Sequence, residues 1–358
     1  TSPDILALSN YGWNVNLNRV MIKIAKDINP DILIVMGGPG IGKLPEEIKE
    51  FLTIFPIDMY VINDGEVGFC EIIEYILGKW PCSIKETIFR SGITLPNTAY
   101  LENETKLLIL GGPNDIALEK DMPFPSPWLS GILDSFLNES SFPLSPLIQT
   151  NRGCPYSCTF CHEGADSFRK IRKFDLDTVI EELRYIFKKA KYKFQLNITD
   201  SNFGIFQRDI TIAEEIRRLS DKYKNVTKIY LGNTKNQMSR NIEISKIFGS
   251  IGMPDFPVQS FSEKTLENVK RKNIKLDFLP NFLAEIKSNG QEAFTDLLIG
   301  MPGETKESQI DNIRKVYDIG FHFANVGDVR LLRGSRMREA DYMKKYGIEN
   351  NRQATEEE

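Results

Sequence analysis

Up to about residue 80, short apolar runs alternate with amphipathic stretches. Ile5 to Leu8, Ile32 to Met36 and Met59 to Ile62 read as strands, and Asn16 to Lys26, Leu44 to Leu52 and Glu66 to Leu77 as helices. That pitch predicts a doubly wound, Rossmann-like α/β domain. In the first helix Leu17, Val20, Met21 and Ile24 share one face, which predicts a core-facing stripe. From about residue 83 to 110 the pattern shifts to short strand-like pieces with turn signals at Leu95-Pro96-Asn97 and Glu102-Asn103, predicting a hairpin. A proline-rich linker follows from Met122 to Trp128, where the prolines force extended backbone.

A second alternation starts at Pro146. Its candidate strands are Leu147 to Thr150, Phe194 to Thr199, Lys228 to Leu231, Phe256 to Ser260, Ala293 to Ile299 and Phe323 to Val329. The clearest helix between them is Leu176 to Lys189, with Leu176, Val179, Ile180, Leu183, Ile186 and Phe187 on one side and Asp175 placed to cap its start. Pro280 marks the first turn or a kink of another. Six such units fall short of a closed eight-fold barrel and predict a partial (β/α)6 TIM-like barrel with its site at the C-terminal strand ends. The expected organisation is an α/β domain over 1–82, a hairpin and linker over 83–145, the barrel over 146–340 and a polar tail over 341–358.

The chain has 358 residues, enough for two cores, and is 41% hydrophobic and 26% charged, as in an ordinary globular protein. A net charge of -4 and a pI near 5.6 argue against a nucleic-acid partner, and the basic run from Phe168 to Lys173 reads as solvated surface. No apolar stretch is long enough to span a bilayer, and the first residues do not read as a signal peptide. The expectation is therefore a cytoplasmic protein with no membrane partner. Thr1 opens directly on an apolar run, so the front is expected to be cut; Asn350 to Glu358 reads as a fraying tail or a second cut.

Five cysteines, an odd number, fit a reducing compartment better than a disulfide framework. Cys154, Cys158 and Cys161 lie in the run NRGCPYSCTFCH, while Cys70 and Cys82 stand far upstream without ligand spacing. Three sulfurs on so short a loop suit an iron-sulfur cluster better than a structural zinc, which takes a fourth protein ligand. Three cysteines would leave one iron open to a substrate or cofactor. The plainer alternative is three reduced, buried thiols.

The triplet, with Phe160 just before its last cysteine, resembles the signature of the radical S-adenosylmethionine (SAM) superfamily. The resemblance implies a 4Fe-4S cluster on Cys154, Cys158 and Cys161, SAM chelated to the open iron, and reductive cleavage of SAM to a 5'-deoxyadenosyl radical. It also implies an electron donor such as flavodoxin or ferredoxin. Further segments are similar to those of elongator-like members: Thr199 to Phe203, with Asp200 near the SAM amino group or capping a strand end; Val258-Gln259-Ser260-Phe261-Ser262, with Gln259 and Ser260 facing SAM and Ser262 a helix N-cap; and Asp296 to Thr305, with Leu298 and Ile299 on the adenine. Arg330 to Ser335 resembles a family run in which proline usually stands at the position of Arg333.

The front domain resembles the cobalamin-binding domain of one large radical SAM subfamily. By that resemblance Ser9 and Tyr11, Gly37 and Gly38, and Gly65 and Glu66 would line the cobalamin cleft. A cobalt-ligating histidine loop would lie upstream of Thr1; His162 and His322 are not candidates, the first supporting the cysteine loop and the second being a strand-end residue. The function implied is a cobalamin-dependent radical SAM enzyme acting on a small molecule, with C-methylation one outcome. The alternatives are a radical SAM enzyme whose front domain is a docking module, and a non-catalytic iron-sulfur or zinc protein.

Overall fold

The unbroken apolar run LIVM in Leu33–Gly37 calls for a strand covered on both faces. The computed structural model describes residues 3–79, 92–112, 121–122, 124–139, 141, 144–273 and 278–349 and gives the run that setting. Strands β1 (Ile5–Ser9), β2 (Leu33–Gly37) and β3 (Met59–Val61) pair in parallel. The antiparallel hairpin β4 (Thr98–Leu101) and β5 (Leu108–Leu110) extends the same sheet in the order β1-β2-β3-β4-β5. Ile34, Met36 and Tyr60 share a core with helices Val15–Ile28 and Pro45–Ile54, while Leu33, Val35, Met59 and Val61 pack with Ile72 and Ile76 of helix Gly65–Lys79. Helices on both faces of the sheet make this the Rossmann-like layer architecture that the pattern predicts. Cys82, residues 83–91 of the expected hairpin region, and 350–358 of the expected tail lie outside the described residues.

One expectation for this unit is corrected. Leu17, Val20, Met21 and Ile24 are exposed, Leu17 to 62% and Val20 to 55%, and the buried residues of helix Val15–Ile28 are Asn18 and Ile22. The inward face is turned because the Asn18 amide reaches the end of β1, donating from Nδ2 to the Ser9 carbonyl at 2.7 Å. By contacts the chain divides into Thr1–Glu119 with Leu331–Glu339, and Lys120–Arg330 with Ala340–Glu358. The segment after the last strand thus groups with the front unit, where the Arg333 guanidinium lies 5.5 Å from the Phe51 ring centre. The residues that follow, Ala340–Tyr346, are helical.

In the second unit, β6 (Asp121–Met122) pairs with β9 (Arg172–Phe174), which in turn pairs antiparallel with β8 (Asn151–Arg152). The main sheet holds β7 (Leu147–Ile148), β10 (Phe194–Phe203), β11 (Val226–Asn233), β12 (Gly252–Asp255), β13 (Phe294–Ile299) and β14 (Phe323–Asp328). All six run parallel in the order β14-β13-β12-β11-β10-β7, an open sheet with helices between successive strands. Helix Leu176–Lys189 buries Val179, Ile180, Leu183, Ile186 and Phe187, and the Asp175 carboxylate accepts from the Thr178 backbone N–H at 2.9 Å as its cap. Pro280 sits in the first turn of helix Leu279–Ser288.

The fourth strand is displaced from its expected place. Phe256 to Ser260 is not a ladder strand; the paired segment is Gly252–Asp255 just before it. Pro257 lacks an N–H, and Gln259 adopts φ 64°, so in place of a regular ladder the apolar run joins the sheet through the Phe256 N–H, the Thr295 hydroxyl and an isolated bridge from Gln259 to Leu297. Among the described residues no helix is long and apolar enough to cross a membrane. Phe187 is fully buried, with its ring 5.5 Å from and edge-on to Phe194. Phe187→Ala is expected to cost about 3–5 kcal/mol, read as a lower urea midpoint for the unfolding of this unit.

Candidate functional site

The cysteine run is the connection between antiparallel β8 and β9, so both its ends are fixed to one small ladder. The Cys154 N–H donates to the Phe168 carbonyl at 2.9 Å, closing the loop. Gly153 makes the entry possible with φ +106°; a Cβ there would stand 2.7 Å from the carbonyl oxygens of both Phe168 and Lys170. Inside the loop the N–H of Cys161 bonds the Cys158 carbonyl at 3.2 Å, and Gly164 packs so tightly on Cys158 that an added Cβ would overlap its carbonyl. The loop docks on the end of helix Glu263–Asn268: the Thr159 N–H reaches the Val269 carbonyl at 3.0 Å, and its hydroxyl bonds Tyr342, whose own hydroxyl donates to the Asn268 carbonyl.

Asp200, expected near the SAM amino group, is buried and braces the entry to this loop. Its carboxylate accepts from the Thr150 N–H at 2.6 Å, the Thr150 hydroxyl, and the Asn151 N–H and Nδ2 at 3.2 and 2.6 Å. Burial pushes it up to about 7. Arg208 completes the brace, donating to the carbonyls of Phe174 and Thr150.

Three side chains from elsewhere in the unit, two at strand ends and one beyond helix Glu263–Asn268, converge on the sulfurs. Asn202, in β10, donates from Nδ2 to Cys154 Sγ at 3.2 Å. Lys235, just past β11, points Nζ at Cys158 Sγ from 3.5 Å, and Arg271 places Nη1 3.9 Å from the same atom. Lys235 is only 9% exposed and Arg271 7%, and among the described residues neither forms an ion pair with a carboxylate. Burial and the neighbouring Arg271 lower the pKa of Lys235, and burial lowers that of Arg271. Burial likewise raises Cys154, and takes Cys161 up to about 11. Two buried cations without a counter-ion are costly, and neutral thiols do not offset them. A thiolate-ligated, negatively charged group at this loop would. Asn202 lies in the Thr199 to Phe203 segment marked by the resemblance and Arg271 in the run Lys270 to Asn273 that follows the Gln259 segment, but their contacts with the sulfurs, and Lys235 altogether, carry no signal in local spacing.

The other expected SAM contacts fall into two groups. Gln259 is buried, and among the described residues its Oε1 has no hydrogen-bond partner, so that oxygen is open to a ligand. Ser260 instead donates to Glu304 Oε2 at 2.8 Å and accepts from Asn312, inside a network behind the strand. Ser262 caps helix Glu263–Asn268 through the Thr265 N–H. Leu298 is half-buried and Ile299 is exposed, at the C-terminal end of β13 before Gly300 and Gly303, both at positive φ; Phe160 is half-buried within the loop. His162 lies at a tilt against Phe168 within the cysteine loop, while His322 sits immediately before the start of β14, its Nδ1 accepting from the Ala293 N–H.

The front-unit candidates gather at the C-terminal ends of β1, β2 and β3, where open parallel sheets bind ligands. Ser9 accepts from Asn14 and Asn18; Tyr11 stacks on Trp13 at 4.5 Å. Gly38 lies at φ +116°, with an imagined Cβ 2.9 Å from the Asn10 carbonyl. Gly65 and Glu66 open helix Gly65–Lys79. Asn10 and Tyr60, neither of them assigned a contact from sequence, tie these ends together: Asn10 Nδ2 donates to the Tyr60 hydroxyl at 3.2 Å and that hydroxyl donates to the Gly38 carbonyl at 2.7 Å, leaving the buried Asn10 Oδ1 without a partner among the described residues.

The three-cysteine loop follows the first strand of an open parallel sheet, at the strand ends where α/β barrels carry their catalytic groups. Residues 148–316 match the radical SAM superfamily. That segment, just under half of the chain, carries a radical SAM domain, the kind of domain that works with a 4Fe-4S cluster and SAM. Over 355 residues it is 28% identical to the cobalamin-dependent radical SAM methyltransferase TokK of Streptomyces tokunonensis, spanning 97% of this chain and 50% of that protein. It is 29% identical over 330 residues to 2-(S-pantetheinyl)-carbapenam-3-carboxylate methyltransferase of Streptantibioticus cattleyicolor, spanning 90% and 46%. The chain thus spans about half the length of these curated relatives. In fold it resembles the methyltransferase TsrM of Kitasatospora setae solved with cobalamin and a 4Fe-4S cluster, with a TM-score of 0.69 at 16% identity, covering 94% of this chain and 64% of that one.

A cavity of about 300 Å³ lies on the second unit's sheet, lined by Asn197, Thr199, Tyr230, Gly232, Asp255 and Phe294 among others. Burial, with the carboxyl of Asp296 beside it, pushes Asp255 up to about 8. Above the ordinary value of about 3.9, the folded chain keeps a proton that the unfolded chain releases. The contribution to stability is full below about pH 4 and lost as pH rises through about 8. Asp255→Asn is expected to remove that slope, matching wild type near pH 4 and exceeding its urea midpoint at pH 8.

Proposed function

We propose that this chain is the catalytic part of a cobalamin-dependent radical SAM enzyme, with the cluster on Cys154, Cys158 and Cys161. The observation that carries the cluster assignment is the pair of buried cations at Cys158, which lack a carboxylate and fit an anionic, thiolate-ligated group. When bound, the cluster and SAM supply a 5'-deoxyadenosyl radical for hydrogen abstraction from a carbon. The residues of this chain keep the loop closed through Gly153 and Asp200, direct N–H groups at the sulfurs, and offer the Gln259 amide to SAM. Leu298 and Ile299 supply an apolar edge for its adenine, with Phe160 beside the last cysteine; Ser260, bound to Glu304, acts behind them as a positioning residue.

Cobalamin is assigned to the front unit, on the loops bearing Ser9, Tyr11, Gly37, Gly38, Gly65 and Glu66. The unpartnered Asn10 Oδ1 at the same strand ends supports a ligand there, as do the names of the methyltransferase relatives. Methyl transfer to a carbon of a small molecule is the reaction we infer from those relatives, one of which is named for a carbapenam substrate. A small electron-transfer protein would supply the electron. A second reading, a front unit that docks a partner, is favoured by the exposed apolar face of helix Val15–Ile28.

Under dithionite and without oxygen, the chain should convert SAM to 5'-deoxyadenosine. Cys154→Ala, Cys158→Ala and Cys161→Ala should each abolish that conversion with the circular dichroism spectrum retained; cleavage that survives in any of them refutes the assignment. Hydroxocobalamin titrated into the chain should show a perturbed corrin spectrum and saturable binding, and an unperturbed spectrum leaves the docking reading.

A further inference from the structure

Lys235 is held more rigidly than a surface lysine. It stands two residues past the end of β11, and the buried Thr234 between them is tied down by its N–H to the Phe203 carbonyl and by Asn241 Nδ2 to its own carbonyl. Its ammonium lies 4.3 Å from the ring centre of Tyr156, a residue of the cysteine loop, and the Tyr156 hydroxyl is 3.4 Å from Thr234 Oγ1. The ring and the strand end therefore aim Nζ at Cys158 Sγ. Arg271, the other cation there, has its remaining donors committed to the Pro257 carbonyl and Asn273 Oδ1, so it also clamps backbone.

We infer that Lys235 is a positioning residue that sets the reduction potential of the cluster, its cation favouring the reduced state through Cys158 while Asn202 donates to Cys154. This rests on the cluster assignment above. One-electron reduction adds a negative charge to a group already bearing thiolates, and a buried cation 3.5 Å from one sulfur stabilises the more negative state. Hydrogen bonds and charge around cluster sulfurs are among the levers a protein has on potential. Removing the cation shifts the midpoint downward and leaves the sulfur ligands in place.

The test is a mediator titration with dithionite, followed by the electron paramagnetic resonance signal of the reduced cluster, on the anaerobically reconstituted chain and on Lys235→Met and Lys235→Arg. Lys235→Met should carry wild-type iron and sulfide, with the ratio of reduced to oxidised cluster at fixed potential falling about tenfold, a midpoint lower by about 59 mV. Lys235→Arg should stay near wild type. If Lys235→Met loses the cluster, Lys235→Gln replaces it under the same criterion. A cluster-bearing variant with the wild-type midpoint overturns the inference alone; a wild-type chain that takes up no iron and sulfide overturns it together with the cluster assignment.

Discussion

Two positive charges buried beside one cysteine sulfur require a negative partner, and much of the second unit is arranged around that requirement. Lys235 comes from the end of β11, Arg271 from beyond helix Glu263–Asn268, and Asn202 from β10, yet all three reach the same loop. Parallel strands make this convergence possible, because their C-terminal ends open on one side of the sheet. Among the described residues neither cation forms an ion pair with a carboxylate, and a bound anion at the loop would offset the cost of burying them.

The loop itself has little regular structure, so its shape comes from what grips it. Antiparallel β8 and β9 fix its ends, Gly153 allows the turn, and the Asp200 carboxylate holds Thr150 and Asn151 from beneath. Thr159 and Tyr342 tether its middle. The front unit follows the same logic at smaller scale: Asn10 and Tyr60 join the ends of β1, β2 and β3, and Gly38 gives the backbone room to approach.

What could be read from sequence was local. The cysteine spacing marked the loop, and the period of helix Leu176–Lys189 and its Asp175 cap gave an element that the structure reproduces residue for residue. Reading failed where tertiary contacts override local pattern. Phe256 to Ser260 looks like a strand, but proline and a positive φ break its ladder, while Gly252–Asp255, with glycine, proline and aspartate, is the paired segment. Asn18 turned helix Val15–Ile28 because its amide bonds a strand end. Lys235 carried no signal, since its partner Cys158 is distant in sequence; a buried lysine is recognisable only once the fold is known. Asp200 was noticed, but the direction of its carboxylate, toward Thr150 and Asn151, is a three-dimensional fact.

The central claim is that the loop of Cys154, Cys158 and Cys161 carries a cluster and not a single metal ion or free thiols. Iron, acid-labile sulfide and zinc measured on the chain after anaerobic reconstitution test it most directly. The account predicts about four irons and four sulfides per chain, with no zinc. Zinc without sulfide, or three thiols that remain free to alkylation after reconstitution, would contradict it.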